Sequence, residues 1–246
     1  MKKILRMRPT RLPHLCFAAG AAVLFWGAAA GAADLSSGTP DLSGIWLNTA
    51  PASVLKPLGA ALPPFTPAGR RAYDKARAAL KSGKAVDLVH KYCLPEGVPR
   101  LMSAAYPFAI VQSPSQVTMV HESHHTFRIV LMNAKHPSED EALGSFMGDS
   151  VGRWDGNALV IDTIQFNDTA PLDAAGLPHG EKLHVTERLS RTPDGRGLVD
   201  LITIEDPQFY ARPWTVKASF QLRPDLSLQE YTCGEPHRDL SKVIKP

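Results

Sequence analysis

Cysteine is scarce in this chain, with three in 246 residues, at positions 16, 93 and 233. None belongs to a Cys-x2-Cys pair, which argues against a cysteine-based metal site. The chain also lacks a glycine-rich phosphate loop, a dinucleotide fingerprint and a serine nucleophile elbow. Nucleotide-dependent chemistry and serine hydrolysis therefore have no motif to stand on, and no cofactor or metal is expected. Nor does any apolar run reach the roughly twenty residues of a spanning helix. The longest, Cys16 to Ala30, has about fifteen.

That run sits inside a three-part leader. Lys2, Lys3, Arg6, Arg8 and Arg11 precede it, and Ala30-Gly31-Ala32 or Gly31-Ala32-Ala33 supplies small residues for cleavage. Arg8 and Arg11 are not adjacent, against a twin-arginine signal, and Cys16 opens the apolar run, against lipoprotein processing. Residues 1–33 are expected to be a cleaved secretory signal. The mature protein would be periplasmic or secreted, with no stable membrane anchor. Removing five basic residues turns the formal charge of +3 into about −2. Charges of both signs are interspersed, and no basic patch suggests nucleic acid. In an oxidising compartment Cys93 and Cys233 are expected to form a disulfide.

Residues 34–64 are rich in Pro, Ser, Gly and Ala and read as an extended or linker segment, with Gly44-Ile45-Trp46-Leu47 a possible first strand. Thr66-Pro67 then offers an N-cap and a proline at the first helical position, and Gly83 closes an alanine-rich stretch, which predicts one short peripheral α-helix near 67–81. Beyond Cys93 the period becomes two. Trp214, Val216, Ala218, Phe220 and Leu222 alternate with Thr215, Lys217, Ser219 and Gln221, and Leu183, Val185, Glu187 and Leu189 share one face. Asp155-Gly156 separates two strand-like runs, and Pro193-Asp194-Gly195 and Arg223-Pro224-Asp225 mark further turns. Residues 65–246 are therefore expected to be a single all-β domain, an antiparallel lipocalin-like barrel whose closure removes edges and creates an interior.

Several phrases carry a resemblance. Ser150-Val151-Gly152-Arg153-Trp154-Asp155-Gly156-Asn157, Leu159-Val160-Ile161-Asp162-Thr163 and Phe166-Asn167-Asp168 lead it. Pro178-His179, Leu183-His184-Val185-Thr186-Glu187-Arg188, Asp206-Pro207, Arg212-Pro213-Trp214 and the opening Pro40-Asp41-Leu42-Ser43-Gly44-Ile45-Trp46 follow. Together they resemble a large family of exported, largely uncharacterised bacterial β-rich proteins, over nearly the whole mature chain. The resemblance implies an envelope location and a β-rich fold, and no activity. At His121 to Arg128 this chain is His-rich where that family carries acidic and aromatic residues.

Among candidate site residues, His121-Glu122-Ser123-His124-His125 matches the zinc-protease motif formally. That chemistry needs a helix, and Val117 to Val120 and Phe127 to Met132 favour strands, so a hairpin turning near Ser123-His124 is expected. Glu187 falls on the apolar face of its strand. A carboxylate there is costly unless paired or protonated. Glu230 shares parity with Leu226 and Leu228, and the two carboxylates in one cavity would make a general acid and base. The alternative is a buried pair with Arg128 or Arg153 that only fixes the core. His179, in a loop flanked by Asn167, has the titration range for proton transfer. Trp154, Trp214, Asp162, Asn167 and His121 are candidate ligand contacts. Alternation around the Asp155-Gly156 turn leaves open which face of the Asp162 strand points inward.

Three functions are compatible with these residues. The first is cofactor-free acid–base catalysis (a lyase, isomerase or hydrolase) on a small hydrophobic or aromatic molecule, with Glu187, His179 and Glu230 as proton-transfer groups and Arg128 stabilising negative charge. The second is a lipocalin-like carrier or sensor of such a molecule. The third is an envelope assembly protein, which predicts an exposed apolar patch and no cavity.

Overall fold

The computed structural model describes residues 38–138 and 143–231, so the leader and Cys233 lie outside the described residues. Nine strands pair in chain order: β1 (Gly44–Asn48), β2 (Phe108–Gln112), β3 (Gln116–His121), β4 (Phe127–Met132), β5 (Asp149–Asp155), β6 (Ala158–Ile164), β7 (His184–Arg191), β8 (Gly197–Glu205) and β9 (Trp214–Leu222). The barrel is closed because β1 pairs with both β2 and β9. The segment with the possible first strand thus contributes the closing strand, and the barrel starts before residue 65.

The seams are antiparallel except at β4–β5, where Val130, Leu131 and Met132 pair with Ser150, Val151 and Gly152 in parallel. The fully antiparallel expectation is corrected at this one seam. In a closed ring with an odd number of strands, directions cannot alternate all the way round, so some seam has to be parallel. A parallel seam needs a return path outside the sheet, which here is the connection from residue 133 to 148.

Helix α1 (Pro67–Lys81) forms where its local signals place it, with the Thr66 side chain accepting from Gly69 N. A second, unexpected helix, α2 (Leu88–Tyr92), follows, capped by Asp87 and ended by Cys93 in the left-handed region at φ 56°. Both lie in the long β1–β2 connection. The β5–β6 hairpin turns at Gly156, whose φ of 60° is the conformation a tight hairpin demands. No helix among the described residues is long and apolar enough to cross a membrane.

The inward positions fill the barrel. Trp46, Met119, Leu159, Ile161, Leu189, Leu198 and Ile202 are fully buried, joined by Phe108, Val130, Trp214 and Phe220. At the parallel seam the Val130 side chain fills the space beside Gly152, where a Cβ would lie 2.7 Å from Val130 Cγ1. A barrel of this size is just wide enough for side chains to occupy, and here they do. The expected mostly apolar ligand cavity inside the barrel is replaced by packed core.

Candidate functional site

Each of the six consecutive strands β3 to β8 sends one polar side chain inward: His121, Arg128, Ser150, Thr163, Glu187 and Asp200, all buried. Arg128 is matched nearly bond for bond. Its Nη1 donates to Glu187 Oε1 at 2.9 Å and its Nη2 to Glu187 Oε2 at 2.5 Å. Nη2 also reaches Thr163 Oγ1 at 2.7 Å, and Nε donates to Ser150 Oγ at 3.0 Å. Glu187 is 0% exposed. Alternation therefore placed Glu187 inside, and of the two arginines considered it is Arg128 that pairs with it. Arg153 is exposed.

Asp200 lies diagonally across the β7–β8 ladder from Glu187. Neither of its carboxyl oxygens has a hydrogen-bond partner among the described residues. Burial first, and then the negative charge of Glu187, push its carboxyl well above the ordinary range, with Arg128 opposing. His121 stacks on Phe108 with ring centroids 4.9 Å apart. Burial, reinforced by the Arg128 charge, pulls its imidazole down to about 3, so it stays uncharged at neutral pH. These six residues make a sealed electrostatic girdle that no solute reaches.

The other expected site residues are scattered. Glu230 is exposed and lies beyond the end of β9, in a tail whose Gln229 N donates to Glu122 Oε2 at 2.8 Å. It shares no cavity with Glu187, because the strand that would have carried it inward stops at Leu222. His179 is tied to backbone on both sides, Nε2 to Ala170 O at 2.6 Å and Nδ1 to Gly180 O at 3.3 Å. It fastens the β6–β7 connection and meets no carboxylate. Asn167 serves the same connection, accepting from Thr169 N at 3.1 Å. Trp214 is core, edge-on to Tyr210 at 5.3 Å, and half-buried Trp154 packs against the core. Asp162 points outward, with Nε2 of His136 and of His184 at 2.8 and 2.7 Å from its two oxygens. His121 to His125 form a hairpin tip, as their flanks predict: β3, a tight turn and β4.

The phrases behind the family resemblance also act structurally. Asp206 Oδ2 accepts from Gly180 N at 2.7 Å, and Tyr210 donates to Pro178 O at 2.8 Å. Both bonds bind the β6–β7 connection to the turn between β8 and β9.

The outer surface supplies what the interior does not. Outward positions on β2, β3 and β4 carry Val111, Val120, Phe127, Ile129 and Leu131, exposed by 59%, 37%, 63%, 42% and 43%. Register makes them neighbours, since Val120 faces Phe127, Thr118 faces Ile129 and Gln116 faces Leu131. Ala109 pairs with Val120 and Val111 with Thr118 on the same face. None of these outward positions is charged, whereas the outward faces of β5 to β9 present Arg153, Asp162, Arg188, Glu205 and Lys217. The sequence carried this signal in Phe127 to Met132, where both parities are apolar apart from Arg128. Such a strand is buried on one face and sticky on the other.

A smaller concavity of about 310 Å³ opens between α1 and residues 168–179, walled by Ala72, Ala76, Leu80, Val86 and Pro171, with His179 at its edge. Compared with known protein-family models and with curated protein sequences, the chain matches none.

Proposed function

We propose that this chain is an exported assembly module of the cell envelope that associates through the outer face of β2, β3 and β4. The observation that carries the reading is the uncharged apolar face on a barrel whose interior is filled. Monomeric soluble proteins rarely expose contiguous apolar surface of this kind without a partner for it. Closure leaves no strand edge to pair, so association has to use side chains. The occupant we assign is a second copy of the chain. A face without charge offers no charge code for a foreign partner, and it meets its own copy with no like-charge penalty.

Five side chains make a small patch, so the dimer is weak, with a dissociation constant on the order of micromolar. Sedimentation velocity across a concentration series should show the wild type shifting from monomer to dimer. Ile129→Glu should stay monomeric with an unchanged unfolding midpoint, while Lys217→Glu on β9, outside the patch, should dimerise as the wild type does. A wild-type chain that is monomeric at every concentration overturns the proposal.

Acid–base catalysis through Glu187 draws no support from a carboxylate sealed beneath Arg128. A carrier of a small hydrophobic molecule draws support from the α1 groove, whose apolar walls fit such a ligand. Native mass spectrometry would detect the retained compound. The proposal also includes the leader as a cleaved export signal and a disulfide joining Cys93 to Cys233.

A further inference from the structure

Outside the barrel, on the surface of β5, β6 and β7, four side chains form an unbroken chain of short contacts that the proposed function does not use. His136, in the return connection, places Nδ1 2.6 Å from Asp149 Oδ1 and Nε2 2.8 Å from Asp162 Oδ1. The other Asp162 oxygen is 2.7 Å from His184 Nε2. Carboxylates of surface aspartates accept hydrogen bonds and do not donate them. Both ring nitrogens of His136 therefore have to carry hydrogen, and an imidazole with two N–H groups is positively charged. A neutral ring would aim a lone pair at a carboxylate oxygen across less than 3 Å.

We propose that His136, gripped between Asp149 and Asp162 and backed by His184, is a proton-operated clasp that holds the return connection of the parallel seam against the barrel. The placement fits the task. The connection must cross the outer face of the sheet to bring β5 parallel to β4, and His136 is the charged residue that bonds its first arm to β5 and β6. Gln165 supplies the neutral part of the attachment, donating to Pro137 O at 3.1 Å. The remaining charged neighbours are Glu205, which pairs in register with His184 from β8, Arg153 and Arg188, which both pair with Val160 and so lie diagonal to Asp162, Lys135 beside His136 and Lys182 two positions before His184. Burial pushes the Asp162 carboxyl up, but the hydrogen bonds from His184 and His136 outweigh it and hold it below the ordinary carboxylate range. Asp162 is therefore an ionised acceptor at neutral pH.

The sign of the pH dependence follows. The clasp is closed while the imidazole is charged and the carboxylates are ionised. It weakens as pH rises through the imidazole titration, and again in strong acid when the aspartates protonate. Long-range ¹H–¹⁵N spectra of the histidine rings should show both His136 nitrogens protonated at about pH 6. Exchange of the Asn133 amide, which donates to Gly152 O at 2.7 Å where the connection leaves β4, should accelerate about tenfold between about pH 6 and pH 9 once corrected for intrinsic rate. In Asp162→Asn the Asn133 amide should exchange fast at both pH values, while β8 amides keep wild-type protection. A His136 ring that is neutral at the lower pH overturns the proposal. So does an identical pH response in wild type and Asp162→Asn, or protection that follows added zinc instead of protons.

Discussion

A guanidinium inside a barrel has to be matched bond for bond, and Arg128 is matched by residues from β5, β6 and β7. Removing one partner leaves a buried charge unpaired, so Arg128→Met should cost about 3–5 kcal/mol in urea unfolding. The double variant Arg128→Met, Glu187→Leu should recover most of that loss, because two apolar groups need no partner. Asp200 adds a pH term with a definite sign. Its folded pKa is raised, so its stabilising contribution is full below the unfolded carboxylate value and falls as pH rises toward the folded one. Asp200→Asn should remove that slope, and its stability relative to wild type should increase from about pH 4 to pH 7. Alternation alone exposed the burial of Glu187, because its neighbours Val185 and Leu189 fix the parity. The same test on Leu198, Asp200 and Ile202 would have exposed Asp200. The choice of Arg128 over Arg153 was not legible, since both faces of the Asp155-Gly156 hairpin are mixed. Glu230 misled because parity carries no information once a strand has ended.

Helix α1 was legible because its start is local chemistry, a threonine cap followed by proline. Its docking was not. Gly69 lies against the turn before β9 so closely that a Cβ would meet Phe209 O at 2.0 Å, while Thr66 N donates to that same oxygen at 2.9 Å. Backbone meets backbone there, and no side chain has room to yield. Gly69→Ala should therefore destabilise by about 1–3 kcal/mol despite alanine's higher helix propensity, by forcing α1 off the barrel. Thr66→Ala should cost about 1 kcal/mol through the lost cap alone. Chemical denaturation of both variants separates the two effects, and a stabilised Gly69→Ala would disprove the close contact. Helix α2 left too little sequence to read, five residues without a repeating face. The return connection that carries His136 was equally opaque, because nothing local tells that its first arm lies against the β5–β6 hairpin that carries Asp149 and Asp162.

Over the whole molecule, turns and alternation were enough to announce a barrel but not its strand count or its parallel seam, which depend on how distant strands are ordered. Nor could they separate a filled barrel from a hollow one, since inward apolar residues suit both. The sizes of Trp46, Phe108, Met119 and Trp214 decide the matter only once they share one interior. Chain closure at the largest scale is the remaining expectation. Tyr231, the last described residue before the C-terminal segment, packs on His124 with ring centroids 5.0 Å apart. His124 in turn lies 6.0 Å from His90, three positions before Cys93, and Cys233 is two positions past Tyr231. His90 and Tyr231, the described residues near the two cysteines in sequence, thus both lie beside the β3–β4 tip. A cross-link spanning so much of the chain restricts the unfolded state strongly, by about 5 kcal/mol in the chain-entropy picture. Alkylation of the unfolded, unreduced mature protein should leave both cysteines unmodified by mass. Reduction should lower stability by about 3–5 kcal/mol, to the level of Cys93→Ser. Two alkylated cysteines without reduction would instead mean that the tail is held by noncovalent contacts such as those of Tyr231 and Gln229.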